Sequence, residues 1–307
     1  MNRYDAVVIG GGPAGLTAAL YLLRSGVTVA MLERLSAGGQ VLMTEEIENY
    51  PGFPKGIKGY ELADLFDAHL QDYSLTRIIE EVESISPNGS RHLIKAGGQE
   101  FEAGAVIVCS GARYRHLGIP GEGRYLGRGV SYCALCDGNF FRGQDIAVIG
   151  GGNTALEESL YLARLVRKLY LVHRRDDFRA HKCYQDKCFS HPKISVVRAT
   201  VPKEIVGGDF VSGLRVENIK TGAASELAVD GVFIFVGFEP AGRFLPEGLE
   251  LDTEGFIKTD VEMRTNVPGI FAAGDIRSKN VRQVATAVGD GATAAANVFT
   301  YLEQLHA

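Results

Sequence analysis

The sequence predicts an α/β protein made of two like domains, each a parallel sheet wound with helices, and three observations lead there. The chain has 307 residues, which at about 150 residues per domain favours two compact domains. Glycine supplies 38 of them, well above the usual share of roughly 7%, and no Gly-x-y period makes the excess collagenous, so it belongs to tight turns. The third observation is a repeat. Val148-Ile149-Gly150-Gly151-Gly152 reproduces Val8-Ile9-Gly10-Gly11-Gly12, and Leu160-Tyr161-Leu162 reproduces Leu20-Tyr21-Leu22, at a constant offset of 140.

Composition narrows the classes. Hydrophobic residues at 46% and charged residues at 22% match a chain that buries a core, which excludes disorder. A net charge of −5 without a Lys/Arg block lacks the footprint of a nucleic-acid or anionic-membrane partner. Five cysteines are too few for a disulfide scaffold and odd in number, which fits a reducing, cytoplasmic setting. The uncharged stretch Ala6 to Leu23 has about the length of a membrane span. Its glycines and Pro13 break the early turns of such a helix, and Asp5 with the single Arg3 makes a poor leader.

Taken in order, Tyr4 to Gly12 reads as a short apolar strand entering a glycine turn. A helix-period stretch runs to Arg24, and a second apolar strand runs from Val27 to Leu32. Both copies carry the dinucleotide fingerprint between strand and helix: Gly10-x-Gly12-x-x-Gly15 and Gly150-x-Gly152-x-x-Ala155. The first glycine makes the tight turn and the second admits the pyrophosphate. The third position stays small so that helix packs on strand, with the phosphates at the helix N-terminus. The fold class is therefore two Rossmann-like, three-layer nucleotide-binding domains.

The end of the second strand separates the two sites. Glu33 lies 23 positions past Gly10. A carboxylate there accepts from ribose hydroxyls and repels a 2′-phosphate, so FAD or NAD is expected. The same count past Gly150 reaches His173, followed by Arg174 and Arg175, with Arg179 beyond. This cationic cluster suits a 2′-phosphate, hence NADPH; the alternative is a solvated basic patch balanced by Asp176 and Asp177.

Cys133-Ala134-Leu135-Cys136 stands shortly before the second fingerprint. Zinc needs a second ligand pair, and Cys183, Cys188 and Cys109 are poorly arranged for one, so no metal is expected. Two thiols separated by two residues at a turn close a small disulfide ring, which favours redox chemistry. Asp137 is the adjacent candidate for moving the proton, or alternatively a turn cap. Cys109, Cys183 and Cys188, with His181 and His191 near the last two, read as packing or incidental residues.

Together these motifs resemble the low-molecular-weight, bacterial-type thioredoxin reductases, class II pyridine nucleotide-disulfide oxidoreductases, over nearly the whole chain. The resemblance rests on Gly10-Gly11-Gly12-Pro13-Ala14-Gly15, Gly38-Gly39-Gln40 with Glu48-Asn49-Tyr50-Pro51-Gly52, Cys133-Ala134-Leu135-Cys136-Asp137-Gly138, Gly150-Gly151-Gly152-Asn153-Thr154-Ala155 with His173-Arg174-Arg175, and Phe271-Ala272-Ala273-Gly274-Asp275 with Arg282-Gln283. It implies FAD held by two separated segments. Pro13, Ala14, Glu33, Arg34, Gly39, Gln40, Asn49, Gly274, Arg282 and Gln283 would line the cofactor, with Asp275 near its ribityl or phosphate region.

The same resemblance implies a discontinuous FAD domain, residues 1–114 and 243–307, around an NADPH domain at 115–242 that carries the dithiol. Hydride would pass from NADPH to FAD in one domain orientation. Rotation would then let the flavin reduce the Cys133–Cys136 disulfide and expose the dithiol to thioredoxin. A cytoplasmic homodimer is also implied. The competing readings are a reductase of another small redoxin, one preferring NADH, or a non-enzymatic nucleotide- or zinc-binding protein.

Overall fold

The computed structural model describes residues 2–44 and 46–306. The chain divides into two compact units, Met1–Arg113 with Glu239–Ala307, and Tyr114–Phe238. Its α-helices, in chain order, are α1 (Pro13–Arg24), α2 (Gly59–Ala68), α3 (Ala134–Asp137), α4 (Asn153–Leu162), α5 (Lys182–Phe189) and α6 (Val284–His306).

In the first unit, strand Asn2–Ile9 lies between parallel strands Val29–Leu32 and Gln99–Val108. Ile270–Ala272 joins the latter in parallel, and the hairpin Val82–Asn88/Arg91–Ala96 adds antiparallel strands. Successive side chains of the first strand point to opposite faces. Ala6 and Val8 pack beneath α1 and α6, whereas Val7 and Ile9 join Ile85, Ile94 and Ile257 on the other side. A central sheet with both faces covered explains an apolar strand without alternation.

The second unit repeats this plan. Its parallel sheet runs Val130–Ser131, Gly231–Phe235, Asp145–Gly150, Lys168–Val172, Ile194–Val197. Helices α3, α4 and α5 cover one face, and the antiparallel strands Thr200–Gly207, Val211–Asn218 and Ala224–Ala228 cover the other. The repeat survives in the pairing itself: Ala6 faces Val29 and Ile146 faces Leu169, each partner shifted by the same 140 positions.

The chain passes between the units along a two-stranded ribbon, Ala112–Tyr114 with Phe238–Pro240. Ala241 N–H donates to Gly111 O at 3.1 Å at one end, and Arg115 N–H donates to Gly237 O at 3.0 Å at the other. Among the described residues no helix is long and apolar enough to cross a membrane.

Candidate functional site

In the first unit the turn before α1 is built for close backbone approach. Gly10 has φ +106°, and a Cβ on it would lie 2.4 Å from Cys109 O; one on Gly15 would lie 1.8 Å from Gly10 O. Pro13 occupies the first helical turn, where its missing N–H costs no bond, and Ala14 behind it is buried. A Cβ on Gly12 would instead meet only Gly39 Cα, at 4.0 Å, leaving the space a pyrophosphate needs at the helix N-terminus. Glu33 accepts Gly11 N–H at 2.8 Å and Leu35 N–H at 3.1 Å, one bond on each carboxylate oxygen. Each oxygen keeps a lone pair for a ribose hydroxyl. Arg34 is exposed beside it.

The remaining residues expected at this cradle come together from distant segments. Asn49 donates to Gln283 at 3.0 Å, and Gln40 donates to Ala112 O. Arg282 stacks on Phe256 at 4.1 Å and donates to Asp275 O. Asp290, unremarked in the sequence, holds the Gly274 N–H at 3.0 Å, Lys279 at 2.9 Å and Arg277 at 2.9 Å.

Residues of this unit fit FAD on two counts. Ser110 Oγ is buried without a hydrogen bond, and Asp275 Oδ1 has only the Lys279 ammonium at 3.7 Å, a state that a polar ligand relieves. The space over Gly12 would be filled by any Cβ. Burial pushes the Asp275 carboxyl above its usual range, against the pull of Lys279 and Arg282.

The second unit carries the sulfur chemistry. Cys133 and Cys136 form a disulfide, with Cα atoms 5.3 Å apart. Cys133 caps α3, and its sulfur accepts the Cys136 N–H at 3.1 Å. Ser131 organises the turn: its Oγ accepts the Cys133 N–H at 3.0 Å and donates to Asp137 Oδ2 at 2.5 Å. Burial raises the Asp137 pKa, and the Ser131 bond lowers it by less. Ser131 has no signature in the sequence, because its role follows from the turn's shape. Leu135 and Phe140 are exposed apolar side chains flanking the disulfide.

The second fingerprint repeats the first with different chemistry. A Cβ on Gly151 would lie 2.2 Å from the His173 ring, the counterpart of Glu33 beneath Gly11. His173 is 8% exposed, packs on Phe178 at 4.5 Å and reaches Asp177 O at 3.2 Å. Burial lowers its pKa, with the three nearby arginines adding to the effect. Both effects favour the neutral form of His173.

Arg174, Arg175 and Arg179 are exposed around an open cleft of about 440 Å³, joined there by Lys220. Lys220 pairs with Asp176 at 2.6 Å, so that carboxylate is engaged by a cation from the Val211–Asn218/Ala224–Ala228 hairpin. Asn153 accepts the His181 N–H at 2.8 Å, and Gly151 O accepts the Arg179 N–H at 2.9 Å, tying the arginine loop to the fingerprint. Gly152 faces open space, Thr154 is exposed and Ala155 is buried.

Cys109 and Cys188 are buried, with thiol pKa values pushed up by desolvation, to about 11 for Cys188. Cys183 is exposed.

Comparison with known proteins points the same way. The family model described as pyridine nucleotide-disulphide oxidoreductase matches residues 4–291. The thioredoxin reductase of Listeria monocytogenes serovar 1/2a is 44% identical, covering 98% of this chain and 95% of the relative. That of Bacillus subtilis is 42% identical, covering 98% and 96%. The crystal structure of thioredoxin reductase from Streptococcus pyogenes is 47% identical, covers 98% of this chain and 99% of that one, and superposes with a TM-score of 0.94. A matched family model that spans both nucleotide cradles and the disulfide between them in sequence makes this chain a member of the pyridine nucleotide-disulphide oxidoreductases.

Proposed function

We propose that this chain is an NADPH-dependent thioredoxin-disulfide reductase in which Cys133 and Cys136 carry the electrons to the protein substrate and Asp137 handles the proton. The observation that carries the reading is the Cys133–Cys136 disulfide, set on a turn with a half-buried carboxyl in the unit that also bears the arginine-rimmed cleft. FAD and NADPH are the cofactors, supplying hydride transfer and its relay as an electron pair when bound. The FAD domain comprises residues 1–114 and 243–307 and the NADPH domain residues 115–242, bounds that lie within one and four residues of those of the two compact units. The enzyme works in the cytoplasm as a homodimer.

Reducing the disulfide breaks one S–S bond and consumes two electrons and two protons. The hydride of NADPH accounts for both electrons and one proton, and the second proton comes from solvent. Asp137, with its pKa raised by burial, is placed to hold that proton beside the turn. Cys133 is the better-stabilised thiolate, because its sulfur already accepts a backbone N–H. A thiolate attacks one sulfur of the substrate disulfide, the mixed disulfide resolves through the second cysteine, and the proton leaves with the substrate thiol. Leu135 and Phe140 offer thioredoxin an apolar footing beside the sulfurs.

The test is a coupled assay with thioredoxin and a chromogenic disulfide, run with NADPH and NADH in parallel. Cys133→Ser and Cys136→Ser are expected to abolish thioredoxin reduction while NADPH still bleaches the flavin; loss of both would overturn the order of transfer. Arg174→Ala is expected to raise the KM for NADPH by roughly tenfold or more, as for one charge-assisted phosphate contact, and to leave that for NADH nearly unchanged.

A further inference from the structure

Helix α4 carries an acid that the chemistry above does not use. Glu158 is partly buried, and its Oε2 has neither solvent nor a hydrogen-bond partner. Its neighbour Glu157 is exposed and bonds Tyr184 of α5, so the two acids look in different directions.

The segment that follows the disulfide runs alongside α4 in the same direction. Gly143 N–H donates to Leu165 O at 3.0 Å, beyond the C-terminal end of α4. Gly138 lies against Tyr161, Leu162 and Leu165. Continued one turn back along both segments, that alignment brings the Cys133–Asp137 turn to the level of Glu158. Glu158 stands three and four positions before Tyr161 and Leu162, on the stripe they share. α3 packs on α4 accordingly.

The charged and titratable groups around this stripe are few. α3 brings the two sulfurs and Asp137. The segment after it brings Arg142, which donates to Asn139 at 3.1 Å. The strands beneath α4 present Ile146, Val148, Leu169, Leu171 and Phe233, and α5 presents Tyr184 and the buried Cys188. Burial, with the charge of Glu157, pushes the Glu158 carboxyl up to about 7.

We propose that Glu158 is a positioning residue of the redox centre, whose carboxyl sets the thiol–thiolate balance of the reduced Cys133–Cys136 pair through its charge. This rests on the reading that those cysteines cycle between disulfide and dithiol. An ionised Glu158 opposes a second negative charge on a nearby sulfur; a protonated one does not. Titrations of the acid and of the thiol are thus coupled. As pH rises and Glu158 ionises, thiolate formation is held back, and the thiol ionises at higher pH than it would beside a neutral residue.

The test uses FAD-loaded protein reduced with dithiothreitol, freed of reductant anaerobically and alkylated with iodoacetamide across neutral pH. Peptide-resolved mass spectrometry separates Cys133 and Cys136 from exposed Cys183. Wild type is expected to show two inflections, the lower one belonging to Glu158. Glu158→Gln is expected to lose that inflection and to react roughly three- to tenfold faster at mildly alkaline pH, the size of one like charge removed at partly screened range. Glu158→Asp should keep both inflections.

Profiles of Glu158→Gln and wild type that superpose would overturn the proposal. Should that variant fail to load FAD, Glu157→Gln, at an exposed position, decides instead: it should move the lower inflection to lower pH, and an unmoved inflection overturns the proposal. A parallel NADPH reduction of wild type separates the two readings. If NADPH leaves the disulfide intact, the reductase assignment falls while the alkylation comparison still judges Glu158.

Discussion

Single residues here take their chemistry from what surrounds them, and Asp137 is the case with the clearest consequence. Its pKa is raised by burial in the folded chain, so the fold holds a proton there at pH values where the unfolded chain has released it. Stability from this group is therefore fully present below the unfolded pKa and is lost as pH rises through the folded one. A proton-donating role follows the same limb. Asp137→Asn is expected to slow thioredoxin reduction by roughly a hundredfold or more while flavin bleaching by NADPH persists. Ser131→Ala removes the one bond that lowers this pKa, so its pH–rate profile should shift its falling limb to higher pH; a limb that stays put or moves down would contradict the assignment. Adjacency to Cys136 marks Asp137 as a candidate in the sequence, and nothing there marks Ser131. Position marks His173 in the sequence, whereas its packing beneath Gly151 and the resulting fall in its pKa are visible only in the fold.

At the scale of elements the glycine turns were the most legible features, because their constraint is local. The three glycines of the second turn nevertheless differ in what surrounds them. Gly151 is blocked by His173 and Gly150 by Phe235 O at 2.5 Å, whereas Gly152 meets nothing within 4 Å. Gly151→Ala should therefore destabilise the protein by about 1–3 kcal/mol, since an imidazole must move from a packed position. Gly152→Ala should leave the melting temperature nearly unchanged yet weaken NADPH binding sharply, because its methyl enters the space kept for the pyrophosphate. Calorimetry beside nucleotide titration checks both, and a Gly152→Ala variant that binds NADPH normally would remove the pyrophosphate from that turn. The register of the strands was equally legible: a repeat of 140 without insertions forces the same pairing in both units. The Asn49–Gln283 bond and the Asp290 cluster were not, since each joins segments whose proximity only the finished fold creates.

For the whole molecule, the two units are unequal in how the chain builds them. The first is assembled from both ends of the sequence, and its cores mix strands near residue 6 with α6. The second is one uninterrupted stretch, Tyr114–Phe238, with an apolar cluster on each face of its own sheet. Its two ends lie side by side, held by the Arg115 N–H to Gly237 O bond at 3.0 Å and by Tyr114 packed on Phe238 at 4.9 Å. A contiguous segment with its own core and neighbouring termini meets the conditions for independent folding. Expressed alone, residues 114–238 should give a cooperative unfolding transition and well-dispersed amide resonances. Because Arg174, Arg175, Arg179 and Lys220 all belong to this segment, the fragment should also bind NADP⁺ more tightly than NAD⁺, by roughly tenfold or more if one charge-assisted phosphate contact is made. That preference should shrink as salt rises, since exposed charges carry it. A folded fragment indifferent to the 2′-phosphate would locate nucleotide selection elsewhere in the chain, whereas an unfolded one would mean that residues outside the segment are needed to complete its core.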